Sequence, residues 1–268
     1  MKITTAIIGG TGVYDPGMLS DVTERVVATP FGEAAVLLGN YKGRPVAFLT
    51  RHGRKHTVPP HRINYRANIY ALKMLGVEQV VATTAVGSLN QAMGPGQFVL
   101  PDQFLDFTKH REHTFFDGED GRVVHVDVTE PYCPRLRDVI VACADPLGYA
   151  CHNGGTYVCA EGPRFETPAE IKMFHQLGGD VVGMTNVPEV VLAREAELCY
   201  ATISIVTNYA AGMSGAPLTH QEVLDVMKES AGRFRTLIAG VLDQLTQTED
   251  DCVCRHALQE LGGFQLKA

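Results

Sequence analysis

What the sequence lacks narrows its function first. No stretch of the 268 residues approaches the ~18 consecutive apolar residues of a membrane-spanning helix. The opening MKITTAIIGG runs into glycine too soon to be a secretory leader. Together these absences predict a cytoplasmic protein with no membrane partner. No Lys/Arg-rich tract forms a polyanion-binding face, and the net charge of −7 argues against a nucleic-acid partner. No internal repeat, low-complexity tract or linker divides the chain, so residues 1–268 read as a single domain with a polar tail from about 247. A disulfide framework is not indicated. The seven cysteines are an odd, scattered set, and Cys143, Cys159 and Cys199 sit in apolar runs typical of buried thiols.

What is present is the balance of a globular domain, 45% apolar and 20% charged. Apolar runs predict buried strands at Ile3–Ile8, Ala35–Leu38, Val46–Thr50, Gln79–Thr84, Phe98–Leu100, Val181–Gly183 and Ala201–Val206. Helical periodicity falls between them. Tyr65, Ile69, Leu72 and Leu75 recur over Asn64–Gly76, with Gly76 suited to end the helix. Thr167-Pro168-Ala169-Glu170 and Thr219-His220-Gln221-Glu222 have the spacing of capping boxes, the second opening a long amphipathic helix through Val223, Met227, Phe234, Ile238, Val241 and Leu245. A further helix begins near Asn186–Pro188 and runs through Glu195. Strands alternating with helices predict an α/β fold around a largely parallel sheet. Residues 109–131 are polar and contain Gly118 and Gly121, the pattern of a long surface excursion.

Several strand ends carry residues suited to an anion. Ile8-Gly9-Gly10-Thr11-Gly12 brings a strand into a turn where backbone N–H groups and a hydroxyl can approach phosphate, but it lacks the last glycine of a dinucleotide fingerprint. Arg51-His52-Gly53-Arg54-Lys55-His56 is the densest basic run, and arginine offers a planar fork that fits phosphate. A zinc site from His52, His56 and His61 is disfavoured, because glycine and prolines break any helical alignment. Thr83-Thr84-Ala85-Val86-Gly87-Ser88 places two hydroxyls at the carboxyl end of a strand. Met184-Thr185-Asn186 joins a strand to a helix N-terminus. Glu166 and Asn208 are polar residues beside a helix start and a strand end. Each of these is also compatible with an ordinary turn, cap or strand position when taken alone.

Taken in order, IIGGTGVYD, RHGRKH, NYRAN, TTAVGSL, DQFLDFT, EGPRFET, MTNVPEVVLAREAELCYA and TNYAAG resemble the trimeric purine nucleoside phosphorylase and methylthioadenosine phosphorylase family along nearly the whole chain. The resemblance implies a phosphorylase-type α/β fold with a mixed central sheet, partly barrel-like, flanked by helices. It implies a phosphate site at Thr11, Arg51, His52, Thr84, Ala85 and Thr185. It places Met184 against the ribose, Phe165 beside the base, and Tyr209 and Ala210 in the substrate site, with Glu166 and Asn208 reading the base. His125 matches a residue lent to a neighbouring subunit in a homotrimer or dimer of trimers. Cys252-Val253-Cys254 resembles a C-terminal pair of some thermophilic methylthioadenosine phosphorylases.

The implied reaction is phosphorolysis of a purine nucleoside. Phosphate held under the sugar attacks the anomeric carbon, and Asn208 donates to the departing purine, with no metal or organic cofactor and phosphate as co-substrate. The branch is set by Glu166, Asn208 and His220. The methylthioadenosine branch has serine, aspartate and an apolar residue at these places, whereas this set matches 6-oxopurine phosphorylases. The expectation is therefore cleavage of inosine and guanosine in purine salvage, with a 5′-methylthioadenosine or 5′-methylthioinosine phosphorylase as the alternative. A nucleoside hydrolase would not need phosphate, and a non-catalytic binder would release no base.

Overall fold

The computed structural model describes residues 2–9, 18–118, 121–214, 220–245 and 251–266, except for the side chains of His220 and Glu222. Among the described residues, eleven strands form one mixed sheet. Along its main path the order is β2 (Ser20–Thr29), β3 (Gly32–Tyr41), β4 (Arg44–Thr50), β1 (Thr5–Gly9), β5 (Gln79–Ser88), β10 (Val181–Gly183), β9 (Thr156–Ala160), β7 (Gln103–Phe107). The sheet forks at β5, which also pairs in parallel with β11 (Cys199–Tyr209); β6 (Phe98–Leu100) and β8 (Cys151–Asn153) extend this second branch.

β1, β4, β5 and β11 are mutually parallel, so their carboxyl ends emerge on one edge. All are covered on both faces. Ala6, Ile8, Val80 and Ala82 pack under α1 (Tyr65–Met74) and α4 (Asn186–Glu195). The alternate residues Ile7 and Val81 pack with α2 (Pro134–Ala144) and α5 (His220–Gln244). Burial on both faces is why these strands read as unbroken apolar runs rather than alternating ones.

The helix boundaries follow from local chemistry. The Asn64 side chain accepts the Ala67 N–H at the start of α1. Gly76, at φ 87°, ends it in a left-handed turn, with its N–H on Lys73 O and that of Val77 on Leu72 O. The Thr167–Glu170 capping box forms in both directions at α3 (Pro168–Gln176). The box proposed at Thr219–Glu222 lies outside the described residues, while α5 itself spans the expected stretch.

The apolar runs do not mark β7, β8, β9 or α2, and three further features differ from the sequence expectation. Strand β2 is mostly exposed, so it carries no apolar run to announce it. The excursion is only partly superficial: Phe115 is buried in the core, and Arg111 is buried with bonds to Glu161, Tyr65 and the Val187 carbonyl. The tail also folds back. Cys254 and Leu258 are buried, and the Leu258 and Phe264 N–H groups each bond to the Glu197 carboxylate. Among the described residues no helix is long and apolar enough to cross a membrane.

Candidate active site

The carboxyl ends of the parallel strands open onto a cavity of about 400 Å³. Arg51 and His52 follow β4, while Thr84 and Ala85 come from β5. Met184 and Thr185 connect β10 to α4, and Asn208 and Ala210 lie at the end of β11. Phe165 and Glu166 close the opposite side, and α5 contributes Val223, Leu224 and Met227. Arg51 and Ala210, 159 positions apart, thus converge because β4, β5 and β11 end on the same edge.

Arg51 is 3% exposed and is held from behind. Its Nε and Nη2 donate to Glu189 Oε2 and Oε1 at 2.7 and 2.6 Å, and its Nη1 donates to the Thr83 carbonyl at 2.9 Å. Burial opposes the charge, but the field and hydrogen bonds of Glu189 outweigh it, so the guanidinium pKa lies above its ordinary value. Three of its five N–H groups are used in this clamp, leaving two for an anion. Glu189 is fully buried in the first turn of α4 and also accepts the Tyr200 hydroxyl at 2.7 Å. The sequence reading gave Glu189 no role. The available signal was one carboxylate in the apolar stretch Val187-Pro188-Glu189-Val190-Val191-Leu192, which needs a buried cation.

His52 is neutral. Burial and the nearby Arg51 charge lower its pKa from 6.5 to about 4. Its Nδ1 lies 2.9 Å from the Val58 carbonyl, which can only accept, so Nδ1 carries the proton and Nε2 is an acceptor. The Thr84 hydroxyl shares a 2.9 Å hydrogen bond with the buried Ser204 hydroxyl. Thr185 begins α4 without capping it through its own side chain.

At the other end, Glu166 has one carboxylate oxygen, Oε1, enclosed and without a partner, and burial raises its pKa above the usual range. Asn208 sits at a register shift between β11 and β5, the kind of bulge that re-aims a side chain. Its Nδ2 donates to the Tyr209 carbonyl at 2.9 Å and its Oδ1 accepts from Thr207 at 2.7 Å. The two bonds fix which end of the amide is which, and leave the second N–H on Nδ2 to point elsewhere. Two glycines are sterically required nearby. A Cβ on Gly183 would enter the Tyr157 ring, and one on Gly162, at φ 67°, would strike Met184 Sδ.

Not every expected residue is here. Tyr209 does not line the cavity: successive strand residues face opposite ways, and its hydroxyl bonds to Gln91 O on the far side. Its contribution is the backbone carbonyl that orients Asn208. His125 is exposed on the excursion and does not line its own chain's cavity. Thr11 lies outside the described residues, and of His220 only the backbone, at the first position of α5, is described.

The comparisons agree with this geometry. The family model of the phosphorylase superfamily matches residues 4–243. The chain is 58% identical over 255 residues to a probable 6-oxopurine nucleoside phosphorylase of Dictyoglomus turgidum, covering 95% of this chain and 96% of that protein. It is 53% identical to the 6-oxopurine nucleoside phosphorylase of Pyrococcus furiosus, covering 96% and 98%. An S-methyl-5′-thioadenosine phosphorylase of Hyperthermus butylicus is 49% identical, covering 97% and 95%. Among solved structures, a methylthioadenosine phosphorylase from an Antarctic soil metagenomic library superposes with a TM-score of 0.90 at 38% identity, covering 97% and 92%. With the strand ends, the buried arginine and the matched length all in agreement, the chain belongs to the phosphorylase superfamily and, within it, to the family of purine nucleoside and methylthioadenosine phosphorylases.

Proposed function

We propose that the protein is a purine nucleoside phosphorylase that cleaves 6-oxopurine nucleosides such as inosine and guanosine. The observation that carries this reading is the enclosed, unpartnered Oε1 of Glu166 opposite an Asn208 amide whose orientation is fixed. A 6-oxopurine presents a donor at N1–H and acceptors at O6 and N7. Ionised Glu166 accepts from N1–H, and the unused Asn208 N–H donates to O6 or N7. A 6-aminopurine reverses the pattern at its edge, leaving buried polar groups unpaired. The naming of the Dictyoglomus and Pyrococcus relatives supports the same choice.

In the reaction, hydrogen phosphate lies between Arg51, Thr84, the Ala85 N–H and Thr185, with Thr11 completing the cradle. The two remaining Arg51 N–H groups hold its oxygens, and neutral His52 accepts the phosphate hydroxyl through Nε2. Met184 lies against the ribose and Phe165 beside the base, while His220 bonds the 5′-hydroxyl. A phosphate oxygen forms the new bond to the anomeric carbon as the C–N bond breaks. Both electrons of that bond leave on the purine, which Asn208 stabilises by donation and which takes up the proton that phosphate loses. No organic cofactor or metal enters this chemistry.

One observation favours the methylthio alternative. Val223, Leu224 and Met227 give the α5 wall an apolar surface on which a methylthio group could pack. Initial rates on inosine, guanosine, adenosine and methylthioadenosine, with and without phosphate, decide between them. A higher kcat/KM for methylthioadenosine than for inosine overturns the 6-oxopurine reading, and turnover without phosphate overturns phosphorolysis.

The proposal extends to a cytoplasmic role in purine salvage and to assembly as a trimer or dimer of trimers. His125, exposed and not lining its own cavity, supports a site completed by a neighbour.

A further inference from the structure

Away from the cavity, three separate parts of the chain bring four cysteines together. Cys133 precedes α2, Cys199 begins β11, and Cys252 and Cys254 belong to the folded-back tail. All four Sγ atoms lie within 4.8 Å of one another. Cys133, Cys199 and Cys254 are buried, and Cys252 is half-buried. Cys252 Sγ stands 3.4 Å from Cys199 Sγ and 3.7 Å from Cys133 Sγ, so it has two near neighbours rather than one bonded partner. In a zinc tetrathiolate, bonds of about 2.3 Å place the sulfurs about 3.8 Å apart, close to both distances.

The surroundings suit anionic sulfur. Cys133 occupies the N-cap of α2, whose N-terminal N–H groups favour negative charge. The Arg135 guanidinium lies close to Cys199, Cys133 and Cys252, and its Nε is buried with no hydrogen-bond partner, leaving an N–H to give. Bound ligand sulfurs commonly accept such outer hydrogen bonds.

We propose that Cys133, Cys199, Cys252 and Cys254 form a structural tetrathiolate site for zinc. Binding converts four thiols to thiolates and releases their protons to solvent. The ion and its ligands carry a net charge of −2, of which Arg135 offsets one unit. The site is structural because Cys199 and Asn208 lie at opposite ends of β11, roughly 30 Å apart at strand rise. All four positions of a tetrahedral ion are filled by protein, leaving none for a substrate. Its role is to fasten residues 251–266 to the start of β11 and α2.

The test uses the full-length protein, purified under reducing conditions from zinc-supplemented cells without chelator. Elemental analysis should find one zinc per chain in the wild type and none in Cys252→Ser/Cys254→Ser. Cobalt replacement should give the intense visible and near-ultraviolet bands of a tetrahedral thiolate site in the wild type alone. The double variant should keep its inosine kcat and KM within about twofold while losing several degrees of Tm and gaining protease cleavage in 251–266. Wild-type protein without zinc and with all seven thiols free overturns the proposal. So does an intact mass short by two hydrogens for each of two disulfides, which would assign the cluster to cross-linking.

Discussion

Glu189→Gln should separate the phosphate end of the cavity from the rest. The side chain keeps its volume but loses its charge and gains N–H groups that face the donors of Arg51. In the native protein the carboxylate receives two charge-assisted bonds from Arg51 at 2.6–2.7 Å and one from Tyr200 at 2.7 Å, all buried. The amide oxygen can keep one Arg51 bond, leaving a buried guanidinium without its counter-charge. Removing one partner of such a pair costs about 3–5 kcal/mol, a large share of the ~5–15 kcal/mol typical of a domain. The freed guanidinium should also swing from its fixed orientation. The KM for phosphate should then rise about tenfold or more, equivalent to at least ~1.4 kcal/mol, with a smaller change in KM for inosine. Urea denaturation and phosphate-saturation kinetics measure the two effects. A cycle with Arg51→Met should show strong coupling, because the double variant no longer buries a lone charge. A stability loss below about 1 kcal/mol together with unchanged phosphate KM would refute the clamp.

His52 should make stability fall with acid. Its native pKa of about 4 lies below the ordinary 6.5, so between these values the unfolded chain takes a proton that the native ring refuses. Stability attributable to this ring should be intact above pH 6.5 and fall by about 2 kcal/mol at pH 5; equal pH slopes for wild type and His52→Asn in urea titrations would reject the assignment. Glu166→Ser with Asn208→Asp should raise the adenosine-to-inosine ratio of kcat/KM by about tenfold or more, and adding His220→Val should favour 5′-methylthio sugars; an unchanged ratio in competition assays removes Glu166 and Asn208 from base recognition. Gly183→Ala should destabilise by about 1–3 kcal/mol because its Cβ would overlap the buried Tyr157 ring, and an unaltered Tm would show that the ring moves freely. Analytical ultracentrifugation should find trimers or hexamers, and a fully active monomer would exclude a site completed by His125 of another subunit.

The sequence by itself determined the parts whose cause is local. The apolar runs of β1, β4, β5, β6, β10 and β11 are readable because burial on both faces leaves few solvent-facing positions. Asn64, Gly76 and the Thr167–Glu170 pair mark helix ends because their partners lie within a few residues. The turns around Arg51, Thr84, Thr185 and Asn208 are legible as strand ends, and their order along the chain carries the family resemblance. Tertiary structure alone decided the rest. Strand β2 owes its form to pairing with β3 rather than to an apolar pattern of its own. The Arg51–Glu189 clamp joins residues 138 positions apart, so neither announces the other. Tyr209 shares a motif with Asn208, but the two-residue period of a strand sends its side chain to the opposite face. The four cysteines look scattered in the chain because their proximity depends on where α2 begins, where β11 begins and how the tail returns across them. Periodicity and capping act over a few residues and leave a trace in sequence, whereas convergence of distant segments is set by the topology of the whole sheet.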